Sequence, residues 1–227
     1  MFLPYDSTMI FLIPAILLTL YAQNKVNMTF NRYLRVATRK GYSGYHVARS
    51  ILDQNGLSNV PVEISPGRLS DHYDPSRKIL RLSRDVYYGN SIASVSVAAH
   101  EVGHAIQHDR GYIPLSFRNA IFPIARFGSS AAWFFIMAGL FLIPPLLDIG
   151  IILYLAAVLF QIVTLPVEFN ASSRALELLD SNGFISREEY PASKKVLKAA
   201  ALTYVAAMAT AIAQLLRLIA IRDRSKN

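Results

Sequence analysis

No lysine or arginine occurs between Arg126 and Arg174, and the intervening chain consists of two apolar runs, residues 127–147 and 149–166, parted by Pro144-Pro145 and Asp148. Each comes close to the roughly 20 residues that an α-helix needs to cross the hydrocarbon of a bilayer. Backbone polar groups inside lipid must be paired internally, so this stretch is expected to fold as a transmembrane helical hairpin. Basic residues are withheld from its turn, which places the turn on the outer side. Composition agrees: 53% of the 227 residues are hydrophobic and mean hydropathy is +0.32, too apolar for an ordinary soluble domain of this size.

A further apolar segment, residues 9–22, has no basic region ahead of it of the kind a signal peptide carries, and is expected to be an N-terminal membrane helix within residues 1–23. Lys25, Arg32, Arg35, Arg39, Lys40 and Arg49 follow it before Asp53, which assigns this part of the chain to the cytoplasm. Residues 199–221 are apolar again, interrupted by Thr203, Tyr204, Thr210, Gln214 and Arg217. A fourth span there would leave Arg222, Arg224 and Lys226 outside, against the charge rule, so the segment reads either as a span or as a helix packed at the cytoplasmic face. The net charge of +8 gathers beside apolar segments, which suits anionic lipid headgroups better than nucleic acid. The chain has no cysteine, hence no disulfides and no thiolate ligands; histidine and the carboxylates are its strong candidates for a metal.

Those ligands appear in His100-Glu101-Val-Gly-His104, inside an Ala-, Val- and Ile-rich stretch from Ile92 to Ile106 that is expected to be helical, capped by Asn90 or Ser91 and ended at His108-Asp-Arg-Gly111. Residues four apart share a helix face, so both imidazoles can reach one zinc ion while Glu101 points to its open side as a base for bound water. The bland reading is a helix whose histidines are satisfied by backbone or water. Polar flanks place the motif in or near the aqueous phase, which disfavours cleavage within the bilayer.

Two crossings return the chain to its starting side, so Glu168, the first acid beyond the hairpin, emerges in the compartment of His100 and His104. A carboxylate there is costly without a partner, and Glu168 is expected as the third ligand. An interfacial carboxylate facing headgroups or pairing with Arg174 is the alternative. Asn170 or Ser172 is placed to accept a hydrogen bond from a histidine ring. His108 reads as a surface histidine.

Ahead of the motif, residues 42–58 suggest a helix stopped by Asn55-Gly56. The alternations at residues 60–64 and 78–82 suggest a small antiparallel sheet, with Asp71-His-Tyr-Asp-Pro75 as a turn. An edge strand over the zinc helix could pair with an extended substrate, or it could merely cover the core. Ser186-Arg-Glu-Glu189 has the form of a capping box.

His100-Glu-Val-Gly-His104, with Asp71-His-Tyr-Asp-Pro before it and Leu165-Pro-Val-Glu-Phe-Asn-Ala-Ser-Ser-Arg-Ala175 after two apolar spans, resembles the YugP-type membrane zinc metallopeptidases of bacteria over nearly the whole chain. It is more distantly similar to the HtpX and prenyl-protein protease families. In those the glutamate ligand is followed four residues later by an aspartate; here that position is Ser172. The resemblance implies a metalloprotease of the HExxH-plus-Glu, gluzincin-like kind, with zinc on His100, His104 and Glu168 and Glu101 as general base. His72 and Arg174 are the candidates for stabilising the oxyanion, each with a plainer role as turn residue or salt-bridge partner.

The expected protein is thus a mostly α membrane protein with three or four transmembrane helices and a cytoplasmic zincin-like catalytic region bearing a small antiparallel β-sheet. Its parts are an N-terminal helix (1–23), the catalytic region (24–118), the hairpin (119–167), the third-ligand helix and linker (168–198), and an apolar helix with a basic tail (199–227). Its location is the bacterial cell membrane, and its substrates are membrane or membrane-proximal proteins, with a regulator or a second copy as further partners. Two other classes fit less well: a scaffold with a structural zinc site, which needs no base at position 101, and a zinc amidase acting on a non-protein substrate.

Overall fold

The structure is a computed structural model and describes residues 7–225. After a 3-10 turn (Ser7–Phe11) come α1 (Ile13–Leu34), α2 (Gly44–Gln54), β1 (Val62–Ser65), β2 (His72–Asp74), β3 (Ile79–Ser83), α3 (Arg84–Tyr87), α4 (Ile92–Asp109), α5 (Ile113–Phe141), α6 (Pro145–Ser181) and α7 (Tyr190–Ser225). The chain divides into two compact units. One takes the chain up to Gln23, Ser116–Pro166 and everything from Thr203; the other takes Asn24–Leu115 and Val167–Leu202.

Among the described residues, α5, α6 and α7 are the helices long and apolar enough to cross a membrane, and the first unit holds nearly all of α5 with the parts of α6 and α7 up to Pro166 and from Thr203. Their largest side chains face outward: Phe127 is 74% exposed and Phe134 71%. Inside, Ala132, Ile136, Leu147, Ile151 and Leu218 form a thin core. An inside-out distribution of this kind is stable only where the surroundings are themselves apolar. Pro145 opens α6, where its missing N–H removes no helical bond. Gly150 lets the two arms touch, since a Cβ there would come within 2.9 Å of the Ile136 backbone nitrogen. Arg222 Nη1 lies 3.7 Å from Asp148 Oδ1. The end of α7 therefore reaches the level of the hairpin turn, and α7 runs the length of the hairpin. The apolar stretch expected to form an N-terminal membrane helix, residues 9–22, is divided between the 3-10 turn and the first ten residues of α1, and α1 is not among the three long apolar helices of the described residues, because Gln23, Asn24 and Lys25 interrupt it. Residues 1–6 of that expected helix lie outside the described residues. α1 is tied to α7 by Thr19 and Thr210, whose hydroxyls are 3.1 Å apart.

The second unit packs α2, α3 and α4 with the sheet and with parts of α6 and α7 around Val47, Ile51, Leu80, Leu82, Val102, Ile106, Leu179 and Leu197. α2 ends where expected, at Asn55 and a Gly56 with φ +77°. The sheet order is β1-β3-β2, with β1 and β3 parallel and β2 and β3 antiparallel. This corrects the expected all-antiparallel arrangement. Alternation identifies strands but not neighbours: Asp71-His-Tyr-Asp-Pro75 supplies a third, three-residue strand that hairpins with β3 from one side. β1, which opposes β2 in direction, therefore meets β3 in parallel.

α6 corrects a second expectation. Glu168 does not open a helix but lies inside one that continues through Pro166 to Ser181. The proline deletes a single amide donor, a loss that apolar spans tolerate.

Candidate metal centre

Ser91 caps α4 by accepting from the Ser94 amide at 3.1 Å, and Gly111 at φ +59° ends the turn that follows it. Between these stops His100, Glu101 and His104 stand on a helix that is almost entirely enclosed. Gly103 lies between the histidines and is the contact with α6. A Cβ there would meet the Ala171 carbonyl oxygen at 2.9 Å, so only a glycine permits so close a crossing. The crossing brings Glu168, one turn before Ala171, beside the imidazoles.

Glu168 Oε2 is 3.3 Å from His100 Nε2 and 3.6 Å from His104 Nε2. All three residues are buried, and their ligand atoms lie within 4.8 Å of one another. Donors about 2.0–2.1 Å from a tetrahedral zinc are themselves about 3.3–3.4 Å apart, so the two carboxylate–imidazole separations are close to those that such an ion requires. Two imidazoles and one carboxylate also match the donor set of a hydrolytic zinc site.

The outer ring nitrogens are both engaged. Ser172 Oγ lies 3.2 Å from His100 Nδ1, as one of the two expected alternatives has it. His104 Nδ1 is 3.0 Å from Oε1 of Gln107, a fully buried residue. The orientation of that amide is fixed by its other end: Gln107 Nε2 donates to the Val167 carbonyl at 2.8 Å and to Asn170 Oδ1 at 3.0 Å. Oε1 must then accept, His104 Nδ1 must carry the proton, and Nε2 is left with its lone pair toward the centre. Asn170 therefore acts one step removed, through Gln107. Gln107 was not identifiable from the sequence, where nothing distinguishes it from any glutamine near a helix end.

Glu101 is 8% exposed, and its Oε2 accepts the Tyr73 backbone N–H at 3.1 Å. Burial pushes its pKa up to about 7; the neighbouring His100 lowers it, and the carboxylates of Glu168 and Asp71 raise it. Asp71 anchors the start of β2 by accepting from the Ser83 amide and hydroxyl at 2.7 and 3.1 Å. β2 packs on α4 at the edge of the sheet, as the edge-strand reading requires.

His72 is exposed on β2, with Nδ1 2.8 Å from the Ser70 carbonyl. Arg174 is half-buried and donates from Nε to Asn170 Oδ1 at 2.7 Å, which joins it to the Gln107 chain. His108 is not a simple surface histidine: it is half-buried, and its Nδ1 lies 3.0 Å from the Tyr73 hydroxyl.

Residues 8–223 match the family described as "Putative neutral zinc metallopeptidase". Over 210 residues, 92% of this chain and 93% of the relative, the sequence is 51% identical to the "Putative membrane protease YugP" of Bacillus subtilis (strain 168). No solved structure matches the chain.

Proposed function

The chain belongs to the neutral zinc metallopeptidases and is a membrane-associated zinc protease; from that premise we propose that it is an endopeptidase whose zinc is held by His100, His104 and Glu168 and whose general base is Glu101. The carrying observation is the convergence of three buried donors from α4 and α6 with a second carboxylate, Glu101, adjoining them in the same helix. A site that served only to hold the fold would need no such base.

Zinc bound there supplies a Lewis acid that polarises a carbonyl and lowers the pKa of water. Glu101 takes a proton from the attacking water and delivers it to the leaving amine. The Tyr73 N–H holds one carboxylate oxygen and leaves the other to exchange the proton. Gln107 holds His104 in the tautomer that presents Nε2 inward, and the Ser172 hydroxyl, which can donate or accept, orients the His100 ring. β2 offers an extended backbone beside the centre, so recognition runs through the substrate main chain with loose side-chain preference.

The oxyanion is assigned to His72 or Arg174. Because the Ser70 carbonyl can only accept, His72 Nδ1 donates to it, and Nε2 becomes a donor only when the ring is protonated. Arg174 keeps its two Nη groups while Nε serves Asn170. The substrates are membrane or membrane-proximal proteins, and the basic residues after α1's apolar part put the catalytic unit on the cytoplasmic side.

Purified wild type and Glu101→Gln, compared for zinc content and for cleavage of casein, test this reading. Equal zinc with cleavage reduced about 10³-fold or more is expected. Equal zinc and no cleavage in either would assign the metal to structure instead.

A further inference from the structure

α1 and α7 enclose a groove of about 590 Å³ in the second unit, within the range of small-molecule sites. Its wall carries Lys25 and Arg32 from α1 and Lys195 and Lys198 from α7, and no acidic residue lines it. All four cations are exposed, and none forms an ion pair among the described residues. Arg32 lies 5.6 Å from the centre of the Tyr33 ring, which keeps its guanidinium along the wall. The floor is apolar: Met28, Ala199 and Leu202, with Met28 63% exposed.

Four uncompensated positive charges within one groove repel one another, so the arrangement favours an anion between them. The position of the groove along its helices says which kind. Lys25 follows the apolar residues 13–22 of α1 by less than a turn, and Lys198 directly precedes the apolar run of α7 that begins at Ala199. Both helices thus change from apolar to basic at the groove, which is the sequence profile of headgroup depth. A soluble anion would have no use for the exposed methionine and the half-buried leucine; an amphiphile would use both.

We propose that this groove is a binding site for one anionic phospholipid, its phosphate among Lys25, Arg32, Lys195 and Lys198 and its acyl chains along Met28, Ala199 and Leu202. The site is separate from the metal centre and is a specific contact rather than general attraction to a charged surface.

The test is binding of phosphatidylglycerol and of chain-matched phosphatidylcholine to the full-length protein, read by native mass spectrometry from neutral detergent. Three proteins are compared: wild type, the groove variant K25Q/K195Q/K198Q, and the control K40Q/K194Q/R35Q, which removes the same charge from exposed positions outside the groove. One neutralised cation weakens binding about fivefold, so the groove variant should bind phosphatidylglycerol on the order of a hundredfold more weakly. The control should stay near wild type, and K25R/K195R/K198R should retain binding. Circular dichroism and zinc content, unchanged in every variant, establish that each is folded. Equal losses in the groove variant and the control would overturn the proposal in favour of diffuse electrostatics. Equal retention in both, or equal affinity for phosphatidylcholine, would also overturn it. Displacement of the lipid by a soluble poly-glutamate peptide at matching affinity would assign the groove to an acidic polypeptide instead.

Discussion

α4 and α5 are neighbours in sequence, separated by three residues, and both are rich in apolar side chains, yet they distribute them in opposite ways. α4 encloses fourteen of its eighteen residues and uses nothing apolar larger than isoleucine. α5 carries Phe117, Phe122, Phe127, Trp133, Phe134 and Phe141 on its exposed surface. The difference lies in what surrounds them. α4 is packed by protein at crystal-like density, so small side chains that let helices and strands approach are favoured, and Gly103 is the extreme case. α5 meets a surrounding that behaves as an apolar solvent, where large side chains cost nothing and no close partner is needed. Zinc chemistry needs fixed donors and belongs in the first setting; anchoring needs only apolar length and belongs in the second.

Substituting aspartate on each helix separates the two settings most sharply. Val102→Asp puts a carboxylate at a fully buried position without a partner, a loss of about 4–5 kcal/mol or more, and the zinc-binding unit should not fold. Fractionated membranes should then hold little protein and no stoichiometric zinc. Phe134→Asp, at a 71% exposed position, should cost about 2.5–3.5 kcal/mol of insertion and reduce the membrane-bound fraction, while the protein that does insert keeps one zinc per chain. Loss of zinc from that fraction would mean that α5 is packed like α4.

A smaller effect tests how far the rigidity of α4 serves the metal. Gln107→Leu keeps the volume but leaves His104 Nδ1 without its acceptor, and zinc affinity measured by chelator competition should fall about 10- to 100-fold with helicity unchanged. Unchanged affinity would reduce Gln107 to a filler of space. The smallest effect is in the pH profile. Burial raises the Glu101 pKa to about 7, and a protonated Glu101 cannot accept a proton, so kcat/KM should fall tenfold per unit on the acid side of that limb. Bound zinc, a positive charge, favours the carboxylate and moves the limb below 7. A limb above 7, or one that persists in residual Glu101→Gln activity, would exclude Glu101 as the base.

Much of this was legible along the chain because it is local. The His100–His104 spacing, the Ser91 cap and the Asn55-Gly56 stop are all encoded within a turn or two, where helix geometry has few alternatives. The candidate ligand Glu168 could be reached by counting crossings, since a hairpin returns the chain to its starting side. The parts that misled are those in which a residue's role depends on a distant neighbour. Pro166 suggested a boundary, yet the helix runs through it. Residues 71–75 read as a turn until β3 supplied a partner. His108 looked like a surface residue until the Tyr73 hydroxyl was placed beside it.

By itself, then, the sequence determined which segments are apolar enough for a membrane, which residues share a helix face, and that two histidines and an adjacent carboxylate stand together. Those properties follow from chemical identity and from backbone periodicities of 3.6 and 2.0. Only the tertiary structure decided that β1 meets β3 in parallel, that Gln107 rather than Asn170 holds His104, and that Tyr73 steadies Glu101. Tyr73 meets Glu101 28 positions on, and Gln107, although only 3 residues from His104, is turned toward it by bonds to Val167 and Asn170 on α6; which of many equally polar partners meets which is set by the crossing of packed elements, as at Gly103 and Ala171.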